Sequence, residues 1–159
     1  MILNKERKLQ ERLAAIVQNL RGHGHRLTPQ RVAIIQALLE STEHPSAEDL
    51  YRRVSALVPV MSLATVYKTL DMLREIGEVV ELPLADRVRY DGNPHPHVHL
   101  ICEKCHAVID WGEGVTFTVP EEEIAASGFR PHRYSLEVHG LCPRCQAEGE
   151  GRADNGRGP

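Results

Sequence analysis

Residues 97–105 have the sequence His-Val-His-Leu-Ile-Cys-Glu-Lys-Cys, and residues 142–145 have the sequence Cys-Pro-Arg-Cys. Each stretch contains one Cys-x2-Cys pair: Cys102 with Cys105, and Cys142 with Cys145. Four thiolates in two such turns can surround one zinc ion as a tetrahedron, which is typical of a structural site. Because 36 residues separate the two pairs, the metal is expected to hold together distant parts of a β-rich domain.

The four cysteines are interpreted as metal ligands because of the expected compartment. The first seven residues lack the apolar block of a signal peptide, and no apolar run approaches the roughly 20 residues needed to span a bilayer. We therefore expect no membrane association and a cytoplasmic location, where thiols stay reduced and Cys-x2-Cys pairs favour metal over disulfides. Two redox-active dithiols are the alternative, but no strand and helix context supports them.

Two histidines just before the first cysteine pair indicate a second metal site. In a strand, residues i and i+2 project from one face, so His97 and His99 would present two imidazoles side by side. Asp91 and Asp110 could add carboxylates, and His44 could reach the site from the N-terminal half, although spacing alone does not select it. Three imidazoles and two carboxylates suit Fe(II) or Mn(II) and tolerate Zn(II).

The first part of the chain predicts four helices. Apolar residues recur at three- and four-residue steps over residues 3–21, which predicts the first helix. Thr28-Pro29 is typical of the start of a second helix, which should end near Ser41. Ser46 with Asp49 resembles a capping box, opening a third helix. Ser62 should cap a fourth helix that ends at Gly77. The stripe predicted to be buried on the third helix contains Leu50, Val54 and Leu57.

A β-hairpin is predicted directly after these helices. Residues 78–82 and 87–90 are strand candidates on either side of a turn-like segment. A hairpin that follows a helix-turn-helix is a wing, and this arrangement indicates DNA binding. Residues 1–90 carry an excess of two positive charges, whereas residues 91–159 carry an excess of five negative charges. The N-terminal half is therefore the only plausible partner for a polyanion.

Side chains on the predicted helices supply candidate DNA contacts. Phosphate contacts are expected from basic residues, base contact from Tyr67, and close approach to the groove from small hydroxyl residues. The candidate set is Arg21, Arg26, Ser62, Thr65, Tyr67 and Lys68, with Arg52 or Arg53 as further phosphate contacts.

The remainder of the chain is predicted to be mainly β. Residues 91–96 form a turn-rich connection, strands are expected over 98–102, 107–110 and 133–138, and a short helix over 121–126. We thus expect an α+β fold with a winged-helix DNA-binding domain over residues 1–90 and a metal-binding domain over residues 91–147. Residues 148–159 lack apolar anchors and are predicted to be disordered.

Five segments together resemble the ferric uptake regulator superfamily. They are residues 26–31 (RLTPQR), 44–51 (HPSAEDLY), 62–67 (SLATVY), 97–105 and 142–145. The resemblance implies a homodimeric, metal-dependent repressor that binds a palindromic double-stranded operator, with an N-terminal winged helix and a C-terminal α/β dimerisation domain. It also implies structural zinc at Cys102, Cys105, Cys142 and Cys145. The implied regulatory site at the hinge consists of His44, Asp91, His97, His99 and Asp110.

The ligand types favour one branch of this superfamily. Aspartates at 91 and 110 resemble the peroxide-sensing PerR branch, whereas iron sensors of the Fur branch commonly carry glutamate there. Zinc sensors of the Zur branch often use a further cysteine, and the chain has four cysteines in all. A peroxide-responsive regulator using Fe(II) or Mn(II) is therefore expected, with a Fur-like iron or manganese regulator or a Zur-like zinc sensor as the alternatives. Resemblance to the PerR branch implies that peroxide oxidises His44 or His97.

Two functions of other classes compete with this interpretation. A small metal-dependent hydrolase could use His97, His99 and Asp110, but the sequence offers no general base beside them, and we expect no enzyme activity. A zinc-ribbon adaptor that binds only protein would leave the winged-helix pattern without a purpose.

Overall fold

The computed structural model describes residues 2–93, 95, 97–112, 115–116, 118–131 and 134–150. The chain separates into two compact units, Met1–Pro94 and His95–Pro159, which we call the N-terminal and C-terminal units. The division lies inside the predicted connection over residues 91–96, slightly beyond the predicted boundary at residue 90. The expected α+β fold class is confirmed.

The described part of the N-terminal unit contains four helices and a hairpin. The elements are α1 Ile2–Gly22, α2 Pro29–Glu40, α3 Ala47–Ser55, α4 Leu63–Glu75, β1 Val80–Pro83 and β2 Val88–Asp91. Helix starts coincide with the predicted caps, because a hydroxyl can satisfy an otherwise free amide of the first turn. Thr28 accepts a bond from the Arg31 amide at 3.3 Å, and Ser62 accepts one from the Thr65 amide at 3.1 Å.

Ser46 and Asp49 form the predicted capping box at the start of α3. The Asp49 amide donates to Ser46 Oγ at 3.2 Å, and the Ser46 amide donates to Asp49 Oδ2 at 3.0 Å. Ser46 is fully buried. The start of α3 is consequently fixed from both sides of the cap.

One apolar cluster joins the four helices. It includes the fully buried side chains Ile16, Leu20, Ile34, Ile35, Leu38, Leu50, Val54, Val66, Leu70 and Leu73. The prediction that Leu57 is buried was wrong, since its exposed fraction is 82%. Helix α3 ends at Ser55, so Leu57 lies in the turn before α4 and does not continue the buried stripe.

The hairpin after α4 is antiparallel, with Val80 opposite Asp91 and Pro83 opposite Val88. It therefore has the predicted form of a wing, although β1 begins two residues after the predicted start and β2 extends to Asp91. Its last residue, Asp91, is one of the candidate metal ligands. Helix-turn-helix and wing thus lie in one compact unit.

A three-stranded sheet and two helices form the described part of the C-terminal unit. The elements are β3 Val98–Cys102, β4 Val108–Trp111, α5 Glu121–Ala126, β5 Leu136–Gly140 and α6 Pro143–Glu150. The strand order is β4-β3-β5, with β3 antiparallel to β4 and parallel to β5. Helix α5 has the predicted bounds. Strand β5 begins at Leu136; Arg133, where a strand start was predicted, lies outside the described residues.

Helix α6 was not predicted. Its first residue is Pro143, and proline is favoured at the first helical position, so the sequence did contain a signal for it. The helix extends to Glu150, three residues into the range predicted to be disordered, and Lys104 Nζ contacts Glu148 Oε2 at 2.9 Å. Residues 151–159 lie outside the described part of the chain.

The two faces of the sheet differ in chemistry. The register places Trp111 and Leu136 on either side of Val98, and Ile109 and Val138 on either side of Leu100. Because side chains alternate along a strand, these apolar groups share one face, while His99 and Asp110 lie on the opposite face. Ile109, Trp111, Leu136 and Val138 are all exposed. Among the described residues, no helix combines the length and apolar content needed to cross a membrane.

The capping box gives a testable prediction for stability. Replacing Ser46 with alanine leaves the Asp49 amide without its acceptor, so we expect the free energy of unfolding to fall by about 1–2 kcal/mol. Urea unfolding of the full chain, followed by the helical circular dichroism signal, measures this change. Ser55→Ala is the control, since this hydroxyl donates to the Arg52 carbonyl of its own helix at 3.3 Å and lies at the opposite end of that helix from the cap. An equal loss in both variants would contradict the role of the cap.

Candidate metal centres

The four cysteines come together because β3 and β5 are parallel neighbours. Cys102 ends β3 opposite Gly140, which ends β5, and the Glu103 amide donates to the Gly140 carbonyl at 2.8 Å. Cys142 follows this edge directly, and Cys145 lies in the first turn of α6. Two chain segments that are far apart in sequence therefore deliver their sulfurs to one edge of the sheet.

The first Cys-x2-Cys pair adopts a tight turn. The His106 amide donates to the Cys102 carbonyl at 2.9 Å, and His106 has a left-handed backbone with φ of 57°. A non-glycine residue adopts this conformation at an energetic cost, and it persists only where the surrounding structure fixes it. The turn keeps the sulfurs of Cys102 and Cys105 on the same side of the chain.

The sulfur positions fit a zinc ion. All four Sγ atoms lie within 4.8 Å of one another, and those of Cys105 and Cys142 are 3.7 Å apart. Two sulfurs of a zinc tetrahedron with Zn–S bonds of about 2.3 Å are separated by about 3.8 Å. A disulfide requires about 2.05 Å between sulfurs, and all four cysteines are free. The expected ligand group is therefore present in the fold.

The electrostatics of the group also favour a cation. Backbone amides, first that of Cys142 and then that of Cys105, lower the pKa of Cys102 to about 6. The Cys142 amide lies 3.4 Å from Cys102 Sγ. Burial raises the pKa of Cys145 to about 12, so this thiol ionises at neutral pH only when a positive charge is close. A zinc ion would supply that charge, and all four sulfurs could then bind as thiolates.

Three further candidate ligands lie together in the C-terminal unit. His99 in β3 is opposite Asp110 in β4, and His97 immediately precedes β3. The Nε2 atoms of His97 and His99 are 3.0 Å apart, and Asp110 Oδ1 lies 3.2 Å from His97 Nε2 and 3.8 Å from His99 Nε2. Both imidazoles are buried. Two ring nitrogens at this distance must share either a proton or a cation.

The separations within this group are in the range expected for ligand atoms around one metal ion. With metal–nitrogen bonds of about 2.1 Å, two nitrogens at a right angle are about 3.0 Å apart, whereas a tetrahedral angle separates them by about 3.4 Å. His97 Nδ1 lies 2.7 Å from the His95 carbonyl oxygen. A proton on Nδ1 satisfies that carbonyl and leaves the Nε2 lone pair for a metal, a common arrangement around ligating histidines.

The N-terminal unit holds the other two candidate ligands as a pair. His44 Nε2 lies 3.7 Å from Asp91 Oδ1, and the exposed fractions of the two residues are 3% and 4%. His44 has a left-handed backbone with φ of 49°. The next residue is held by the wing, because the Tyr90 amide donates to the Pro45 carbonyl at 3.0 Å. The pair is therefore fixed between the start of α3 and the end of β2.

The candidate DNA contacts lie on the surface of the N-terminal unit. Arg21, Arg26, Tyr67 and Lys68 are exposed. Ser62 and Thr65 already bond to each other through their hydroxyls at 2.8 Å in the cap of α4. Of the two further phosphate candidates, Arg52 contacts Asp49, and Arg53 donates to the Ala37 carbonyl at 3.2 Å.

One residue of this surface was missed at the sequence level. Glu48 in α3 accepts a hydrogen bond from the Tyr67 hydroxyl in α4 at 2.8 Å. The two residues are 19 positions apart, and no spacing rule connects side chains on successive helices. Only the packing of α3 against α4 reveals the pair.

The cysteine group gives a prediction for metal removal. Chain lacking zinc should lose the tertiary structure of the C-terminal unit, because structural zinc contributes its binding energy to folding. Trp111, the single tryptophan of the chain, lies in β4, so its fluorescence reports on that unit. We expect chelation or Cys142→Ser to change this fluorescence while most of the helical signal of the N-terminal unit remains. His44→Ala is the control and should retain one zinc per chain; an unchanged Trp111 signal after complete zinc removal would exclude a structural role.

Comparisons with known proteins agree with this geometry. The sequence profile of the Ferric uptake regulator family matches residues 22–139. The peroxide-responsive repressor PerR of Staphylococcus epidermidis is 37% identical over 134 residues, which cover 84% of this chain and 89% of that protein.

Two solved structures share the fold. The ferric uptake regulator of Vibrio cholerae is 29% identical with a TM-score of 0.61, covering 79% of this chain and 98% of that one. A zinc uptake regulator in complex with zinc and DNA is 27% identical with a TM-score of 0.61, covering 89% of this chain and 97% of that one. The chain belongs to the ferric uptake regulator family.

Proposed function

We propose that this protein is a homodimeric, metal-responsive repressor of transcription whose regulatory ion is bound jointly by its two units. The observation that carries the proposal is that each unit places buried histidine beside a carboxylate. His44 and Asp91 lie next to the wing, and His97, His99 and Asp110 lie on the sheet. The relatives named above include a repressor and a DNA-bound regulator.

The donor atoms of this proposed site select the metal. Imidazole nitrogen and carboxylate oxygen suit Fe(II) and Mn(II) and tolerate Zn(II), whereas Cys thiolates suit zinc. We therefore propose structural Zn(II) at the four cysteines and regulatory Fe(II) or Mn(II) at His44, Asp91, His97, His99 and Asp110. When bound, a ferrous ion would supply the bonds that hold these ligands together and the electrons that peroxide takes.

The residues around His44 connect this proposed site to the DNA-binding elements. Pro45 accepts a bond from the Tyr90 amide of the wing, and Ser46 caps α3. Helix α3 packs against α4 through the shared apolar cluster. An ion bound to His44 would therefore favour one arrangement of wing and helices. The size of this effect is limited by how much more tightly the ion binds to that arrangement than to others.

Contacts with DNA are proposed for exposed residues of the N-terminal unit. Arg21, Arg26 and Lys68 would bind phosphates, and Ser62, Thr65 and Tyr67 would approach base edges from the start of α4. A homodimer presents two such surfaces, so the operator would be a palindrome with half-sites at the spacing of the two winged helices. Such a repressor acts where the chromosome is, and we propose a cytoplasmic location.

The C-terminal unit supports the proposed homodimer. An exposed apolar face on the sheet consists of Ile109, Trp111, Leu136 and Val138, and β5 is an edge strand of the sheet formed by the described residues. Contiguous apolar groups and free strand edges are typical of surfaces that another chain covers. A second copy of this unit is the occupant that we propose.

A regulatory role also accounts for the winged helix, which a hydrolase would not need.

The ligand set gives a prediction for DNA binding. His44→Ala removes the imidazole that links the N-terminal unit to the regulatory ion, so Mn(II) should no longer increase affinity for a duplex selected from a random library by the wild-type protein. An electrophoretic shift assay with and without Mn(II) measures this change. His23→Ala is the matched control, because His23 is exposed, follows the end of α1 directly, and places Nδ1 2.9 Å from the Asn19 carbonyl oxygen of that helix. Metal-dependent binding by the His44 variant would refute the joint site.

A second prediction concerns peroxide. After treatment of the Fe(II)-loaded protein with hydrogen peroxide, we expect one oxygen atom to be added to His44 or His97 and the duplex to be released, because a modified imidazole is a poorer ligand. Peptide mass spectrometry and the shift assay on the same samples measure both events. The Mn(II)-loaded protein is the control and should keep the duplex. Unmodified histidines with persistent binding would reduce the function to metal sensing alone.

A further inference from the structure

A hydrogen bond on the exposed face of the helix-turn-helix joins α3 to α4. The Tyr67 hydroxyl donates to Glu48 Oε1 at 2.8 Å, and the exposed fraction of Tyr67 is 42%. The phenol therefore reaches the surface with its orientation already fixed by a neighbouring helix. A tyrosine side chain on an exposed helix face otherwise samples several rotamers.

The charge state of this pair is well defined. The backbone amide of Glu48 and then the Tyr67 hydroxyl lower the pKa of the Glu48 carboxyl below its usual value. The same bond raises the pKa of Tyr67 above its usual value. At neutral pH the proton therefore stays on the phenol and points to Glu48. A hydroxyl that donates in one direction still offers its oxygen lone pairs as acceptors in another.

The pair also has an electrostatic cost for a DNA-binding surface. An exposed carboxylate repels phosphates, so Glu48 should weaken sequence-independent binding. Glu48 lies in the first turn of α3, where an acidic residue stabilises the helix. If Glu48 only stabilised α3, replacing it would change DNA binding in the same way with or without the Tyr67 hydroxyl. If Glu48 acts through Tyr67, replacing it should not change specificity further once that hydroxyl is removed.

We propose that Glu48 is a positioning residue for DNA recognition, and that it orients Tyr67 so that the phenol oxygen accepts a hydrogen bond from a base amino group in the major groove. Such donors are N6 of adenine and N4 of cytosine. This inference rests on the proposed function, because it requires a specific DNA site. Glu48 would thus increase specificity for the selected DNA site while it decreases sequence-independent affinity for DNA.

The test compares four variants of the full-length protein in Mn(II): Glu48→Ala, Glu48→Gln, Tyr67→Phe and the double variant Glu48→Ala/Tyr67→Phe. The probes are the duplex selected by the wild-type protein and a scrambled duplex of the same length. The specificity ratio is the dissociation constant for the scrambled duplex divided by that for the selected duplex. Glu48→Gln is the matched control, since glutamine loses the charge and keeps an oxygen acceptor for the phenol.

We expect Glu48→Ala and Tyr67→Phe each to lower the specificity ratio about tenfold, the effect of one lost hydrogen bond. Glu48→Gln should keep the ratio within about twofold while both Glu48 variants bind the scrambled duplex more tightly, because each has lost a repulsive charge. The double variant should have the same ratio as Tyr67→Phe, since Glu48 acts through the phenol. A scan of base-pair substitutions should show that Glu48→Ala and Tyr67→Phe lose preference at the same position.

Either of two results would overturn the inference. An unchanged ratio in Glu48→Ala would show that Tyr67 needs no support, and additive losses in the double variant would show that Glu48 acts on α3 independently of the phenol. Circular dichroism of each variant verifies that the helices remain folded. Failure of the proposed function can be told apart from failure of this inference, because the wild-type protein would then select no duplex in any metal-loaded form.

Discussion

Parallel pairing of β3 with β5 is the constraint on which the C-terminal unit depends. Parallel strands require a long connection, and closing it costs conformational entropy before any contact is gained. The described part of this unit has few buried apolar side chains, such as Val98, Ile101 and Val108, whereas the N-terminal unit has an extensive apolar cluster. The cysteine group lies where the two parallel strands end. A zinc ion there would supply the stabilisation of the fold that so few buried apolar residues cannot provide.

His44 occupies a similarly constrained position in the N-terminal unit. Its left-handed backbone is unfavourable for a histidine, and it persists because the residues that follow are fixed by the wing and by the cap of α3. A ligand on a freely moving loop would lose much of its binding energy to ordering. When the ligand is already ordered, the metal-binding energy can instead stabilise one arrangement of the elements that hold the ligand. In the proposed function, the strained His44 would therefore act as part of a switch rather than of a simple metal store.

Local signals in the sequence predicted most of the fold. The caps Thr28, Ser46 and Ser62 gave the starts of α2, α3 and α4, and the cysteine spacing gave the zinc group, because both depend on residues close together in the chain. Burial of Leu57 was predicted wrongly since the periodic pattern continues past the end of the helix. The pairing of His97 with His99 followed from strand alternation. Asp91, Asp110 and His44 were candidates from their places in the chain, but only the family resemblance selected them as one set, because contacts between distant segments leave no spacing to measure.

The distribution of charge limits how the proposed DNA recognition can work. An excess of two positive charges over residues 1–90 gives weak general attraction to phosphates, and residues 91–159 are negatively charged. Zinc bound by four thiolates adds two further negative charges to the C-terminal unit. Repulsion would then keep that unit away from DNA and leave the winged helix as the surface that approaches it. With so little general attraction, the proposed binding must come from oriented contacts and from the joint action of the two proposed half-sites, and both are properties that a metal-fixed arrangement can control.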